Sequence, residues 1–143
     1  MACLKFARIS LACAGVAFTL GGLTFASDAE AQGRRLIYVK NVCSRPVRMI
    51  IDHTDGARGP HQQGWYYFNP GEGSYLRSAA GDKLTQVEET PLYAYAETTD
   101  EAKRLHWQGD GPEVKLDGGI YRTMAMSTKV DSDGDLLTRL TCD

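Results

Sequence analysis

Beyond residue 31 the chain has no apolar run long enough to cross a bilayer and no block of one charge sign. It also has no H-E-x-x-H or G-x-S-x-G motif, no glycine-rich phosphate loop and no C-x-x-C pair. Each absence removes a class of function. A bilayer-crossing helix needs roughly 18 or more consecutive apolar residues, so no integral membrane segment is expected in that part of the chain. If Lys5, Arg8, Asp28 and Glu30 are removed with a leader, 14 basic and 16 acidic residues remain, mixed along the sequence. That balance gives no electrostatic footprint for nucleic acid and no basic membrane-binding face. The missing motifs take away zincin metalloproteases, the nucleophile elbow and the P-loop. Without C-x-x-C, thioredoxin-like redox chemistry goes too.

What is present first is a leader. Lys5 and Arg8 precede an apolar stretch from Ile9 to Leu20, then small residues and Ala29-Glu30-Ala31, which fits a small-x-small cut before Gln32. Residues 1-31 are therefore expected to be a cleaved secretory signal and residues 32-143 a single domain, placed in the periplasm or outside the cell. The alternatives are a retained anchor over Ile9 to Ala26, which carries three glycines, and a lipoprotein cut before Cys13, which has too little apolar sequence ahead of it. A domain of about 112 residues buries only roughly 60 to 65 % of its unfolded surface, so a covalent staple matters. Of four cysteines, Cys3 and Cys13 leave with the signal, and Cys43 and Cys142 can pair in an oxidising compartment. Two free thiols or a bond between chains are the other possibilities.

From Leu36 onward the hydrophobic period is mostly two. Leu36 to Cys43 and Val47 to Ile51 read as strands, with Val47, Met49 and Ile51 on one face. Asp52 to Gly64 has three glycines, a proline and two histidines without periodicity, and reads as a long loop. Trp65 to Phe68 is an aromatic strand closed by Asn69-Pro70-Gly71-Glu72-Gly73. Ser74 to Ser78 and Leu92 to Glu97 follow as strands, Leu84 to Glu88 is ambiguous, and Thr98-x-x-Glu101 fits a capping box that opens a short helix. Val114 to Leu116 leads into Asp117-Gly118-Gly119. Ile120 to Val130 and Leu136 to Cys142 then form a hairpin around Asp133-Gly134, with Met124, Met126, Thr128 and Val130 on one face. The expected fold is mainly β, an antiparallel β-sandwich or small barrel of about seven to eight short strands with at most one short helix.

Val42-Cys43-Ser44, Gly64-Trp65-Tyr66 leading to Pro70-Gly71-Glu72, Leu92-Tyr93-Ala94-Tyr95-Ala96-Glu97 and Trp107-Gln108-Gly109-Asp110 resemble the landmarks of the bacterial exported domain family of unknown function 1036, from about Leu36 to Tyr121. The motifs are short, and their order and spacing carry the resemblance. Family members have cysteines just after the Pro-Gly-Glu turn and shortly after Trp-x-Gly-Asp. Here those positions are Gly73 and Glu113 or Val114, a joint absence that leaves Cys43 free to pair with Cys142. The resemblance implies no established activity.

Candidate sites follow from residue chemistry. His53, His61 and His106 are the three histidines, and with Asp52 and Asp55 they could approach a metal, but ordinary polar loop residues explain the same letters. Asp131-Ser132-Asp133-Gly134-Asp135 starts like a calcium loop and then departs from it, with Leu136 and Cys142 where glycine and glutamate belong, so a tight acidic turn is the plainer reading. No metal site and no cofactor is expected. Large rings are abundant for so small a domain. Trp65, Tyr66, Tyr93, Tyr95 and Trp107 are the candidate binding residues, Tyr93 and Tyr95 forming a ladder opposite Leu92, Ala94 and Ala96. Exposed, the ladder is a contact surface; covered, it is core. The expected function is a non-catalytic envelope or secreted domain that binds a protein partner through its aromatic strands. The alternatives are a small periplasmic hydrolase using a histidine-carboxylate pair and a structural envelope protein without a specific ligand.

Overall fold

A computed structural model describes residues 33–56, 59–100 and 104–142. The expected leader, residues 1-31, lies outside them, as does Glu101 of the expected capping box. The described residues form a β-sandwich with a third, smaller layer, and contain no helix. The strands are β1 (Arg34–Asn41), β2 (Val47–Thr54), β3 (Pro60–Phe68), β4 (Gly73–Tyr75), β5 (Thr85–Val87), β6 (Tyr93–Thr98), β7 (His106–Trp107), β8 (Glu113–Leu116), β9 (Gly119–Arg122), β10 (Met124–Ala125), β11 (Thr128–Val130) and β12 (Leu136–Leu140).

One sheet runs β11-β12-β1-β4, with β5 paired to the start of β1. The second runs β10-β6-β2-β3, with β7 on β6, and neither closes into a barrel. Alternation dictates what lies between them. Ile37 and Val39 of β1 and Leu140 of β12 meet Val47, Met49, Ile51, Phe68, Ala94 and Ala96 of the second sheet, all buried in one cluster. Burying a Val, Leu or Ile side chain stabilises by about 1.5–3 kcal/mol, and this interlayer carries most of the large buried side chains.

The third layer is the hairpin β8–β9. Asp117 and Gly118 both have positive φ, 49° and 77°, as a two-residue type I′ turn requires. The hairpin places Val114, Leu116 and Tyr121 against Ile50, Trp65 and Tyr95 on the outer face of the second sheet. A β-bulge between Met49 and Ile50 makes this contact available: Met49 pairs Tyr66 and Ile50 pairs Gly64, so Trp65 is the extra residue and is re-aimed outward. Gly64 is required there because a Cβ would lie 2.9 Å from the Ile50 Cα and 3.0 Å from the Met49 carbonyl oxygen.

Three sequence expectations need correction. The strand count is higher because short segments cross between layers. Ile120 to Val130 is not one strand: it visits three sheets as β9, β10 and β11, pivoting at buried Thr123, whose amide and hydroxyl both bond the Pro112 carbonyl. Its supposed common face splits, with Met126 packed on the core and Val130 exposed. Asp52 to Gly64 is not a long loop, since β2 and β3 form a continuous hairpin with His53 directly opposite His61. The Thr98 hydroxyl accepts the Leu105 amide at 3.0 Å and its own amide bonds the Leu105 carbonyl, while the short helix expected after it runs through residues that lie outside those described.

The hairpin β11–β12 forms as expected, Thr128 opposite Thr138, and the Asp131 carboxylate is spent on its turn, accepting the Asp133 and Asp135 amides at 2.9 Å. β12, however, pairs β1 in parallel, Ile37 with Leu136 through Asn41 with Leu140. Cys43 and Cys142 continue that register two residues further and form the disulfide, with Cα atoms 5.2 Å apart.

Candidate functional site

The five aromatic residues singled out in the sequence do not share one surface. Trp65 and Tyr95 come together under the β8–β9 hairpin, each edge-on or tilted to Tyr121 with ring centroids 5.0 Å away. Tyr95 is 5 % exposed, so the upper part of the tyrosine ladder is core of the third layer. Tyr93 is half-buried beneath Gly111, where a Cβ would come within 2.7 Å of its ring. Tyr66 and Trp107 face the other way, onto the sandwich interior. The Tyr66 hydroxyl donates to the Arg77 carbonyl at 2.9 Å, burial pushes its pKa up to about 12, and Trp107 Nε1 donates to the Thr141 carbonyl at 3.0 Å. Of the aromatic strand, Tyr67 is the ring that solvent reaches, at 63 % exposure.

Beside Tyr95 lies a charged network on the same outer face. Glu97 is 4 % exposed and accepts hydrogen bonds from Arg48 and from the Tyr95 hydroxyl, the latter at 2.7 Å. Because the Tyr95 proton goes to the carboxylate, His106 Nδ1, 2.8 Å from the Tyr95 oxygen, is the donor in that pair. Burial works against the ionised Glu97, and the Tyr95 and Arg48 hydrogen bonds outweigh it, holding the carboxyl below its ordinary range. Arg48 also stacks 4.0 Å above the Trp65 ring. This network is satisfied within the protein and pins β2, β6 and β7 together.

A second constellation lies where the end of the β2–β3 hairpin packs against β5 of the first sheet. His53 continues the inward alternation of Val47, Met49 and Ile51, and His61 faces it across the hairpin, ring centroids 5.8 Å apart. With Gln63 and, from the other layer, Ser78, Asp82 and Lys83, they line an open groove of about 510 Å³. Buried Gln86 fastens the two layers here by accepting the Thr54 amide at 2.8 Å while donating to the Thr90 carbonyl at 3.0 Å. The His53 Nδ1–H donates to the Thr85 carbonyl at 2.9 Å, which fixes the tautomer and leaves Nε2 as an acceptor. Burial, partly offset by that bond, holds the imidazole below its ordinary pKa, so it is neutral at pH 7.

His53 is 3 % exposed, and its Nε2 and that of His61 are both buried without a hydrogen-bond partner in the protein. His61 Nε2 lies 3.6 Å from an Asp55 carboxylate oxygen, close enough for charge attraction and too far for a good hydrogen bond. Among the described residues no three His, Cys, Asp or Glu side chains converge as a metal ion would require. The sequence pattern places the groove histidines in a loop, as candidate metal ligands or as one half of a histidine-carboxylate pair, and not on facing strands. The signal that finds them is the parity of Val47, Met49, Ile51 and His53, extended two residues past the point where the apolar letters stop.

No family model matches this chain, and no curated protein or solved structure matches it either. Among the described residues no helix is long and apolar enough to cross a membrane.

Proposed function

We propose that this is an exported, non-catalytic binding domain that holds a small polar ligand in the groove lined by His53 and His61, and that it is a diverged relative of the exported family its landmarks resemble. The carrying observation is the buried, unpartnered Nε2 of His53 beside an open polar groove. A buried acceptor left without a donor costs about 1–3 kcal/mol, and a ligand hydroxyl or ammonium that reaches it recovers that cost. Export to the periplasm or beyond is supported by the leader pattern and by the Cys43–Cys142 bond, which is of a kind common in exported proteins.

The test is imidazole NMR of the oxidised domain titrated with glucose, glycerol and ethanolamine, alongside native mass spectrometry of the protein purified from its own source. Shifts of the His53 and His61 ring signals, lost in His53→Phe, support the reading. Unmoved rings with all three probes, together with a bare mass, refute it. A second reading, contact with an envelope or secreted protein through the aromatic strands, is favoured by exposed Tyr67 opposite Arg48 on the β2–β3 pair. Its check is affinity capture with Tyr67→Ser as the control.

A further inference from the structure

The near-balanced charge of the sequence hides a local concentration that only the strand register reveals. On the outer face of the first sheet Lys40 of β1 is the register partner of Arg139 of β12. Lys129 of β11 lies across from Leu137, one same-face step away, and Ser127 extends that strand opposite Arg139. All three cations are exposed, and among the described residues none has an ion-pair partner. Like charges placed directly opposite in a sheet are unfavourable, so the arrangement does nothing for the fold itself.

Two of these cations line a cavity of about 320 Å³, together with Ser127, Leu137 and Thr141, and Lys40 stands beside it as the register partner of Arg139. The lining thus combines two cations and two hydroxyl-bearing residues with the apolar Leu137. The backbone oxygens at its rims, which would repel an anion, are already engaged: the Ser127 carbonyl accepts the Thr138 hydroxyl at 3.0 Å, and the Thr141 carbonyl accepts Trp107 Nε1 at 3.0 Å. Among the described residues the acids that flank it along the strands are turned elsewhere. Asp131 serves the β11–β12 turn and Asp135 accepts the Tyr75 hydroxyl at 2.6 Å, four residues from Arg139 along β12 and so about 13 Å away. Glu72, next to the Gly73 that faces Lys40, caps the Asn69 amide at 2.7 Å.

We propose that this face binds a phosphoryl oxyanion, with the planar guanidinium of Arg139 as the central clamp, Lys40 and Lys129 flanking it, and the Ser127 and Thr141 hydroxyls as additional donors. Arg presents paired donors that match a phosphate edge, and lysines add point charge. The site is separate from the histidine groove and stands independently of it.

The experiment is amide NMR of the oxidised domain at low ionic strength with three probes: inorganic phosphate, glucose 6-phosphate, and phosphatidylglycerol vesicles set against phosphatidylcholine vesicles. The expected result is saturable perturbation confined to residues 127–129, 137–141 and 40, weakened about three- to tenfold in Arg139→Gln and in the Lys40→Gln/Lys129→Gln pair. These side chains are exposed, so the variants should fold as the parent does. Response to the two soluble probes identifies a free phosphorylated ligand, and response to anionic vesicles alone identifies a lipid headgroup; both support the site. Perturbation that chloride reproduces at equal ionic strength, affinity unchanged in Arg139→Gln, or no response to any probe overturns it.

Discussion

Replacing Cys142 by alanine under oxidising conditions should lower the melting temperature by roughly 8–17 °C without loss of strand content. The bridge joins positions 99 residues apart, and a cross-link closing a loop of that length removes chain entropy worth about 4.7 kcal/mol in the ideal case, with about 2–4 kcal/mol typical. A domain of about 112 residues unfolds with an entropy near 0.24 kcal/mol per kelvin, so each kcal/mol moves the midpoint by about 4 °C. Strand content should survive because the five register pairs from Ile37–Leu136 to Asn41–Leu140 remain, with Ile37, Val39 and Leu140 fully buried beneath them. Thermal melts followed by far-ultraviolet circular dichroism read both quantities, and the reduced parent should melt with the variant. Coincident curves for the oxidised parent and Cys142→Ala would refute the claim that this bond restrains the unfolded chain.

The Glu97 network makes a second prediction. Glu97→Ala should cost about 2–3 kcal/mol in urea denaturation, below the range for a fully buried pair because Arg48 remains about a quarter exposed. Glu97 is held below its ordinary value, so its contribution is complete above the unfolded carboxyl pKa, near 4.3, and fades as pH falls through the lower folded value. Glu97→Gln should flatten that acid limb, and an unchanged limb would contradict the assignment. His53 is also depressed, so between its folded pKa and about 6.5 the unfolded chain binds more protons. Stability should therefore fall as pH drops below about 6.5, and urea midpoints at pH 7.5, 6.5 and 5.5 should show a shallower slope in His53→Gln. Equal slopes would mean that the imidazole is not buried neutral.

The parts of this fold legible in the sequence are those written in local alternation or turn chemistry. Leu36 to Cys43 and Leu92 to Glu97 declare themselves by period two and the aromatic strand by its composition, Asp133-Gly134 marks the turn of the β11–β12 hairpin, and the cysteine count restricts the pairing. What stayed hidden depends on partners distant in sequence. The parallel alignment of β1 with β12 leaves no local trace, because neither strand's pattern states its neighbour. The bulge that sends Trp65 outward breaks the parity by which its face would be read. The interlayer groove was missed because its strand continues through Asp52 and His53, polar letters that end an apolar run without ending the strand. The phosphate face was invisible for the same reason as the parallel pair, since Lys40, Lys129 and Arg139 become neighbours only through register.

The parallel pair also sets an order of events. β12 sits between β11 and β1, so the first sheet has no continuous centre until a strand made nearly a hundred residues after β1 arrives. Contacts this distant form slowly, since the chain between them must first be closed into a loop. The first sheet is therefore completed only once β12 has been made, and the same parallel alignment that completes it brings Cys142 to Cys43, so closing the sheet and closing the disulfide are one event in the chain's register.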